Sequence, residues 1–317
     1  MKLIITGATG FIGRNLVEYF DNRGHSIIAI YHKKQPFTGT SSKVKWVCSD
    51  LRVPGVISEL LTGTDVLLQF AATTSGAKDI IEKPYIHVTD NAIINSYLLR
   101  DCFEKKVGHF IFPSCTVMLD SIENQKEEAW DENLLINESY YGVGNTKVYI
   151  EKMCKFYSKL GLKTTAIRHS NAYGPYDKFD SSKSHVLGAS ISKVISASSP
   201  GKIEVWGSGK ARRDFIYITD LINFIEKAIN NQNCNFGLYN CGMGYSITIN
   251  DLVKKIINIS GKDIAIYNSI DKPDIPTALS LNCSKAYNEI DWCVTTDLEE
   301  GLRSTYNWAA KSKASRN

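Results

Sequence analysis

Three glycines near the N-terminus, Gly7, Gly10 and Gly13, have the spacing of a turn that binds a phosphorylated cofactor. A short apolar run, Lys2–Thr6, precedes them, and an apolar pattern with helical spacing follows. Glycines let the backbone approach a pyrophosphate closely, and the start of a helix offers unpaired N–H groups and a favourable dipole. We therefore predict a dinucleotide site, with a turn needed only for packing as the weaker alternative. The predicted contacts are Gly7, Thr9, Gly10, Phe11, Ile12 and Gly13.

The residues after the second strand candidate, Ser26–Tyr31, bear on which form of the dinucleotide binds. A carboxylate there accepts hydrogen bonds from a ribose 2′-hydroxyl, whereas cations suit a 2′-phosphate. The chain has His32 and Lys33 at this position, and Arg14 stands just after the glycine turn. This arrangement favours NADP(H) over NAD(H), and a solvated basic loop is the alternative.

Asp50 and Leu51 follow the third strand candidate, Val44–Cys48, and are placed to meet the adenine ring of the dinucleotide. We therefore take both as candidate cofactor contacts. An ordinary loop aspartate at position 50 is the alternative.

Short apolar runs alternate with helical patterns through the first half of the chain. The strand candidates lie at residues 2–6, 26–31, 44–48, 66–71, 110–112 and 164–168. Near-continuous apolar strands that alternate with helices indicate a parallel sheet covered on both faces. The predicted fold class is α/β, with a doubly wound parallel sheet and a smaller C-terminal lobe. We assign residues 1–172 to the dinucleotide-binding domain, with 211–241 returning to it, and residues 173–210 and 242–317 to the smaller lobe.

The composition argues against several classes of protein. The formal net charge of the 317 residues is +4 and the basic residues are scattered, which argues against binding of nucleic acid. No apolar run approaches the ~18 residues of a membrane span, and the N-terminus lacks signal-peptide character. The eight cysteines form no CxxC pair, which favours a reducing cytoplasm and argues against a structural metal site.

Five segments of the chain resemble the extended short-chain dehydrogenases and occur in the order typical of that family. They are GATGFIG at 7–13, FAA at 70–72, RHSNAYGP at 168–175, RDFIYI at 213–218 and DLEEGL at 297–302. The resemblance implies a Rossmann-type fold and a nicotinamide dinucleotide that contacts Ala71 and Ala72. It also implies hydride transfer between the nicotinamide and a carbon of a nucleotide-linked sugar, which the smaller lobe binds.

The same resemblance implies a catalytic tyrosine, lysine and serine. Ser114 matches the serine of the family's Ser-x-x-Val pattern, and Lys147 matches the lysine, which also holds the cofactor ribose. The family's tyrosine stands four residues before the lysine, on the same helix face, where this chain has Val143. We predict Tyr141 as the acid/base, with a bulge at Gly144-Asn145 that restores its reach. The alternative is a structural Tyr141 and a changed or lost chemistry.

Three further segments, at 173–179, 184–186 and 205–209, resemble the GDP-fucose synthases, which epimerise and reduce a GDP-linked 4-keto sugar with NADPH. Those enzymes move protons with a cysteine and a histidine. This chain keeps the histidine as His185, which can act as an acid or base near neutral pH. Thr116 stands at the cysteine position, and Cys115 is one residue away, a shift that reverses side-chain direction at a strand end. We therefore favour simple oxidation or reduction at sugar C4 over double epimerisation.

Four residues are expected to bind the nucleotide sugar. The resemblance implies that Arg213 binds its diphosphate, that Lys193 makes a second basic contact and that Asn171 bonds the substrate. Arginine suits a diphosphate because it can grip two phosphate oxygens at once. Trp206 is expected to pack either on the nucleotide base or on the sheet.

Two further expectations concern the whole protein. Members of the family often form homodimers through two helices per subunit, and residues 92–103 and 148–160 have apolar faces suited to this. A function of another class is also open, a non-catalytic dinucleotide sensor that regulates a partner. Its only support is the disturbed Tyr-Lys spacing, and the diphosphate-binding segment argues against it.

Overall fold

A seven-stranded parallel sheet forms the centre of the protein in the computed structural model, which describes residues 1–73, 83–119, 121–127, 136–180, 184–272 and 277–314. Labelled in chain order, its strands are β1 (Lys2–Thr6), β2 (Ser26–Tyr31), β3 (Val44–Cys48), β4 (Val66–Gln69), β5 (His109–Pro113), β6 (Lys163–His169) and β11 (Phe236–Cys241). They lie in the order β11-β6-β5-β4-β1-β2-β3, and all neighbouring pairs are parallel. The α/β fold class predicted from the sequence is thus confirmed.

Helices connect the strands and cover the sheet. Labelled in chain order, they are α1 (Phe11–Asn22), α2 (Ser58–Leu61), α3 (Thr89–Glu104), α4 (Tyr141–Lys159), α5 (Val186–Ser196), α6 (Ile218–Asn231), α7 (Ile249–Ser260), α8 (Ser284–Ile290) and α9 (Leu298–Ala314). Two 3-10 turns lie at Pro84–His87 and Glu138–Tyr140.

Successive side chains of β1 point to opposite faces of the sheet and pack into two separate hydrophobic cores. Leu3 and Ile5 point into one core, Ile4 points into the other, and all three are fully buried. Residues of α1 and α6 complete the first core, and residues of α3 and α4 complete the second. A strand that is apolar at every position needs cover on both faces, which explains the layered arrangement.

Three small two-stranded sheets accompany the main sheet. The pairs are β7 (Asn171–Tyr173) with β10 (Phe215–Tyr217), β9 (Arg212–Arg213) with β12 (Ile247–Thr248), and β8 (Gly201–Trp206) with β13 (Ile264–Ser269). β11 lies beside β6 at one edge of the main sheet, although it follows the small strands in the chain. The boundaries between the two lobes stay a prediction.

No helix within the described ranges is long and apolar enough to cross a membrane. The same ranges contain no group of three or more histidine, cysteine or acidic side chains that could hold a metal ion.

Candidate active site

The glycine turn between β1 and α1 has the shape of an anion-binding loop. Gly7 adopts φ 62°, and a side chain on Gly13 would place its Cβ 2.2 Å from the Gly7 carbonyl oxygen. Gly10 precedes α1 in an extended conformation, and no side chain caps the first N–H groups of that helix. These N–H groups fit a pyrophosphate, which would satisfy them and interact favourably with the helix dipole.

The segment after β4 is held against the glycine turn by a buried threonine. The Thr6 Oγ1 accepts hydrogen bonds from the backbone N–H groups of Phe70 (3.0 Å) and Ala71 (3.1 Å). Farther along, the Asn91 side-chain oxygen accepts from the backbone N–H of Thr73 at 2.9 Å. The carboxyl ends of β1 and β4 therefore form two adjacent walls of one crevice, where ligands bind in sheets of this kind.

The adenosine end of this crevice contains an ion network. The Asp50 carboxylate lies 2.7 Å from an Arg52 nitrogen and 3.8 Å from the His32 Nε2, and Arg52 also approaches Asp90 at 3.4 Å. Hydrogen bonds from Arg52 hold the pKa of Asp50 well below its usual range. Leu51, predicted as a cofactor contact, is buried in a hydrophobic core instead of facing the crevice.

Arg14, the cation nearest the glycine turn, is already engaged. Its guanidinium carbon lies 4.3 Å from the ring centre of Phe37 and 3.7 Å from that of Tyr176, and its Nε lies 3.0 Å from a Glu18 oxygen. Stacking on two rings holds the guanidinium in place. Lys33 is exposed at the end of β2.

Lys147 projects from α4 to the carboxyl end of β5. Its Nζ donates a hydrogen bond of 2.8 Å to the carbonyl oxygen of Pro113, the last residue of β5, and lies 4.6 Å from the ring centre of Phe112. Burial lowers the pKa of Lys147, and the nearby Cys115 and Glu151 act to raise it. The lysine therefore reaches the edge of the sheet where the glycine turn lies, as predicted for a ribose contact.

Tyr141 does not share a helix face with Lys147. α4 runs without a break from Tyr141, and the Thr146 hydroxyl donates to the Gly142 carbonyl oxygen at 2.8 Å. The bulge predicted at Gly144-Asn145 is therefore wrong. At 3.6 residues per turn, Tyr141 lies about 120° from Lys147 around the helix axis. Its side chain is 66% exposed.

Tyr140, the residue immediately before α4, is turned inward instead. Its side chain is partly buried, and burial raises the pKa of its phenol. The Arg213 guanidinium lowers this pKa, and the Cys115 thiol acts to raise it, so both groups lie within electrostatic reach of the phenol. Tyr140 stands seven residues before Lys147. Seven residues are close to two helical turns, so this spacing is the sequence signal that points to Tyr140.

Ser114 and Cys115 follow β5 and have different surroundings. Ser114 is 1% exposed, and its hydroxyl donates a 2.6 Å hydrogen bond to Glu151, which lies 2.8 Å from Arg168 in a fully buried ion pair. The hydroxyl of Ser114 donates to Glu151 in this structure. The catalytic role of Ser114 therefore stays a prediction. Burial raises the pKa of the Cys115 thiol, and the Lys147 ammonium opposes this rise. The thiol of Cys115 therefore faces the lysine, whereas Thr116 shows no such contact in the described residues.

Two histidines lie near one another beside the lysine. His185 immediately precedes α5, and burial lowers its pKa. His169 ends β6, with its Nδ1 2.7 Å from the Ser170 carbonyl oxygen. Burial lowers the pKa of His169 to about 4, and the Lys147 ammonium acts in the same direction, as does His185 in its protonated form. The sequence analysis did not select His169, although it lies at the carboxyl end of a predicted strand.

The structure brings two of the predicted substrate contacts together. The Lys193 Nζ, on α5, donates to the Glu204 carbonyl oxygen at 2.7 Å and lies 5.8 Å from the ring centre of Trp206, on β8. The Trp206 ring is 42% exposed, so it is not a core residue, and its Nε1 donates to a Glu204 carboxylate oxygen at 3.0 Å.

Asn171 lies on β7, which pairs with β10, and Arg213 lies on β9, which pairs with β12. The Asn171 Nδ2 donates to the Asp214 carbonyl oxygen at 2.9 Å, which leaves the side-chain oxygen and the second hydrogen of Nδ2 for a substrate. An Arg213 Nη1 donates to the Arg212 carbonyl oxygen at 2.9 Å. The Arg213 guanidinium also acts to lower the pKa of the Tyr140 phenol.

The sequence model of the NAD-dependent epimerase/dehydratase family matches residues 3–242 of this chain. The chain belongs to this family. It is therefore an enzyme that uses a nicotinamide dinucleotide, and the glycine turn and the crevice described above lie within the matched residues.

Relatives cover the whole length of this family member. GDP-L-colitose synthase from Yersinia pseudotuberculosis is 28% identical, with 99% of both chains covered. GDP-L-fucose synthase from Azorhizobium caulinodans is also 28% identical, with 97% of this chain and 96% of the relative covered. The crystal structure of UDP-glucose 4-epimerase with UDP-glucose from Thermotoga maritima superposes with a TM-score of 0.85 at 22% identity, covering 99% of this chain and all of that chain. The superposition supports the fold.

Gly13→Ala is expected to weaken binding of the dinucleotide to this enzyme at least about tenfold, because the added Cβ would collide with the Gly7 carbonyl and displace the helix N-terminus. The measurement is a fluorescence titration with NADH and NADPH, with thermal unfolding of the free protein as a control for folding. Unchanged affinity for both dinucleotides would mean that the turn does not contact the pyrophosphate.

Proposed function

We propose that this chain is an NAD(P)-dependent oxidoreductase that transfers hydride at C4 of a nucleotide-linked sugar, with a GDP-sugar as the substrate. One observation carries the proposal. The Tyr140 phenol is in electrostatic reach of Arg213, the predicted diphosphate contact, and of Cys115, which itself faces Lys147. These neighbours support Tyr140 as the proton donor to the sugar.

Each part of the proposed site has a separate role in the reaction. The glycine turn binds the pyrophosphate of the dinucleotide, and Lys147 at the end of β5 orients its nicotinamide ribose. The bound dinucleotide supplies or accepts the hydride. In the reductive direction the Tyr140 Oη gives its proton to the carbonyl oxygen at C4 while hydride adds to the carbon, and oxidation reverses both transfers. The Arg213 guanidinium stabilises the phenolate that remains.

Tyr141 stays an alternative acid/base. Its exposed side chain and its position on another face of α4 favour Tyr140.

The nucleotide portion of the substrate is assigned to Lys193, Trp206 and Arg213. The half-exposed Trp206 ring offers a surface on which a purine can stack, and the Lys193 ammonium lies beside it. Arg213 and Lys193 supply positive charge for the diphosphate. The names of the relatives support guanine as the base, since GDP-L-colitose synthase and GDP-L-fucose synthase both match along their whole length.

We further propose that NADP(H) is preferred over NAD(H). His32 and Lys33 follow β2, Arg14 stands just after the glycine turn, and no carboxylate stands directly after β2 to bind a 2′-hydroxyl. Arg14→Ala is expected to raise the Kd for NADPH about tenfold and to leave the Kd for NADH within about twofold. Only NADPH carries the 2′-phosphate with which the Arg14 guanidinium would form a charged hydrogen bond. Equal losses for both dinucleotides would assign Arg14 a purely structural role between its two rings.

Epimerisation combined with reduction is the second candidate reaction. The neutral thiol of Cys115 and the neutral ring of His185 are a proton donor and a proton acceptor on the same side of the crevice. In D2O, epimerisation would exchange deuterium into sugar carbons other than C4, whereas simple reduction would not.

We also propose that the protein forms a homodimer in a reducing cytoplasm. Large apolar side chains are exposed on α3 and α4, namely Phe103, Tyr149, Phe156 and Leu160. All eight cysteines are free, as a reducing compartment favours. Phe156→Glu is expected to convert a dimer to a monomer in sedimentation equilibrium, and a wild-type protein that sediments as a monomer would contradict the dimer.

The substrate is tested by following oxidation of NADPH with 4-keto sugars linked to GDP, UDP and dTDP. We expect turnover with the GDP-linked sugar and little with the others. Turnover restricted to UDP- or dTDP-sugars would overturn the assignment of the base. Dinucleotide binding without turnover of any sugar would favour a non-catalytic sensor.

A further inference from the structure

His169 lies at the carboxyl edge of the main sheet. It is the last residue of β6, which lies between β5 and β11 in the main sheet. Ile167, two residues earlier in the strand, pairs with Pro113, whose carbonyl oxygen accepts the hydrogen bond from Lys147. His169 therefore stands just beyond the level at which Lys147 is anchored, at the edge of the sheet where ligands bind in folds of this kind.

The hydrogen bond to Ser170 fixes the protonation of the two ring nitrogens. A carbonyl oxygen can only accept, so the Nδ1 that lies 2.7 Å from it carries the hydrogen. In a neutral imidazole with Nδ1–H, the Nε2 has a lone pair and acts as an acceptor. A second proton is opposed by burial and by the charges that face the ring, the Lys147 ammonium from α4 and His185 from the start of α5.

We propose that the Nε2 of His169 accepts a hydrogen bond from a hydroxyl group of the sugar, next to the reacting carbon. The inference rests on the proposed function, in which the sugar lies at the carboxyl edge of the sheet beside the anchored Lys147. Lysine and arginine side chains in the crevice are donors only, so a fixed acceptor among them selects a sugar with a hydroxyl at that position. His169 is thereby a residue that determines specificity for the hexose.

Two amide variants separate this role from a purely structural one. His169→Asn retains a donor at the position of Nδ1, for the Ser170 carbonyl, but has no acceptor at the position of Nε2. His169→Gln places an amide oxygen near the position of Nε2 but has no donor at the position of Nδ1 for the Ser170 carbonyl. With the GDP-linked 4-keto-6-deoxyhexose and NADPH, we expect His169→Asn to raise KM about tenfold and His169→Gln to raise it no more than about threefold. The Kd for NADPH is expected to stay unchanged in both.

The reverse order, with His169→Asn like the wild type and His169→Gln impaired, would show that the ring only secures Ser170 and would overturn the proposal. A second measurement does not depend on turnover. In protein with ¹⁵N-labelled histidine, GDP-mannose should shift the Nε2 signal of His169 and GDP alone should not. Such a shift in a protein that reduces no sugar would uphold the site while the proposed function fails, and the absence of a shift under saturating GDP-mannose would overturn the site.

Discussion

Tyr140→Phe is expected to lower kcat about a hundredfold or more, whereas Tyr141→Phe leaves kcat within about twofold. The two side chains are neighbours in the sequence but differ in environment. The Tyr140 phenol is partly buried beside Cys115 and Arg213, and the Tyr141 side chain is mostly exposed on a different face of α4 from Lys147. Only the first can pass a proton to a sugar oxygen held at the end of β5.

The matched pair supplies its own control, because both variants remove one phenolic oxygen from adjacent positions. The measurement is kcat with NADPH and the GDP-linked 4-keto-6-deoxyhexose, together with the Kd for NADPH, which neither variant should change. A large loss in Tyr141→Phe alone would assign the acid/base to Tyr141. In that case α4 would have to rearrange when substrate binds, since Tyr141 and Lys147 lie on different faces of the free helix.

Glu151→Gln is expected to lower the free energy of unfolding by about 3–5 kcal/mol. Glu151 and Arg168 are both 0% exposed and lie 2.8 Å apart. The carboxylate also accepts a hydrogen bond from Ser114, and Arg168 donates to the Glu127 carbonyl oxygen. Neutralising the glutamate leaves the arginine charge without compensation in the interior, where the cost of desolvation is high.

Chemical denaturation measures this loss, and two further variants show its cause. Ser114→Ala should cost about 1 kcal/mol, the usual contribution of a single hydrogen bond. The double variant Glu151→Met with Arg168→Met should recover about half or more of the loss, because it removes both charges. A Glu151→Gln protein as stable as the wild type would show that the ion pair contributes little to the fold.

The sequence predicted the sheet and the glycine turn because both depend on local patterns. Apolar runs such as Lys2–Thr6 identify buried strands, and the spacing of Gly7, Gly10 and Gly13 identifies the turn whatever lies around it. Lys147 was predicted from the family resemblance, it lies on α4, and its catalytic role stays a prediction.

The orientation of single side chains at the ends of elements could not be predicted in this way. The choice between Tyr140 and Tyr141 depends on the residue at which α4 begins, and helix boundaries are uncertain by one or two residues from sequence. The choice between Thr116 and Cys115 at the cysteine position depends on the direction of the chain as it leaves β5, where one residue changes the face.

Tertiary contacts decided the remaining differences. We propose His169 as a site residue from its place at the carboxyl end of β6 beside the anchored Lys147, which is distant from it in sequence. Trp206 could have been a core residue by its type, but β8 leaves its ring half open beside Lys193.

The central claim is hydride transfer between a nicotinamide and C4 of a nucleotide sugar. It is tested most directly with NADPH that carries deuterium at the transferable position of the nicotinamide, incubated with the enzyme and a GDP-linked 4-keto-6-deoxyhexose. NMR spectroscopy of the product is expected to show one deuterium, bound to C4 of the sugar. A protein that binds NADPH and the sugar nucleotide yet leaves the label on the nicotinamide would contradict the account.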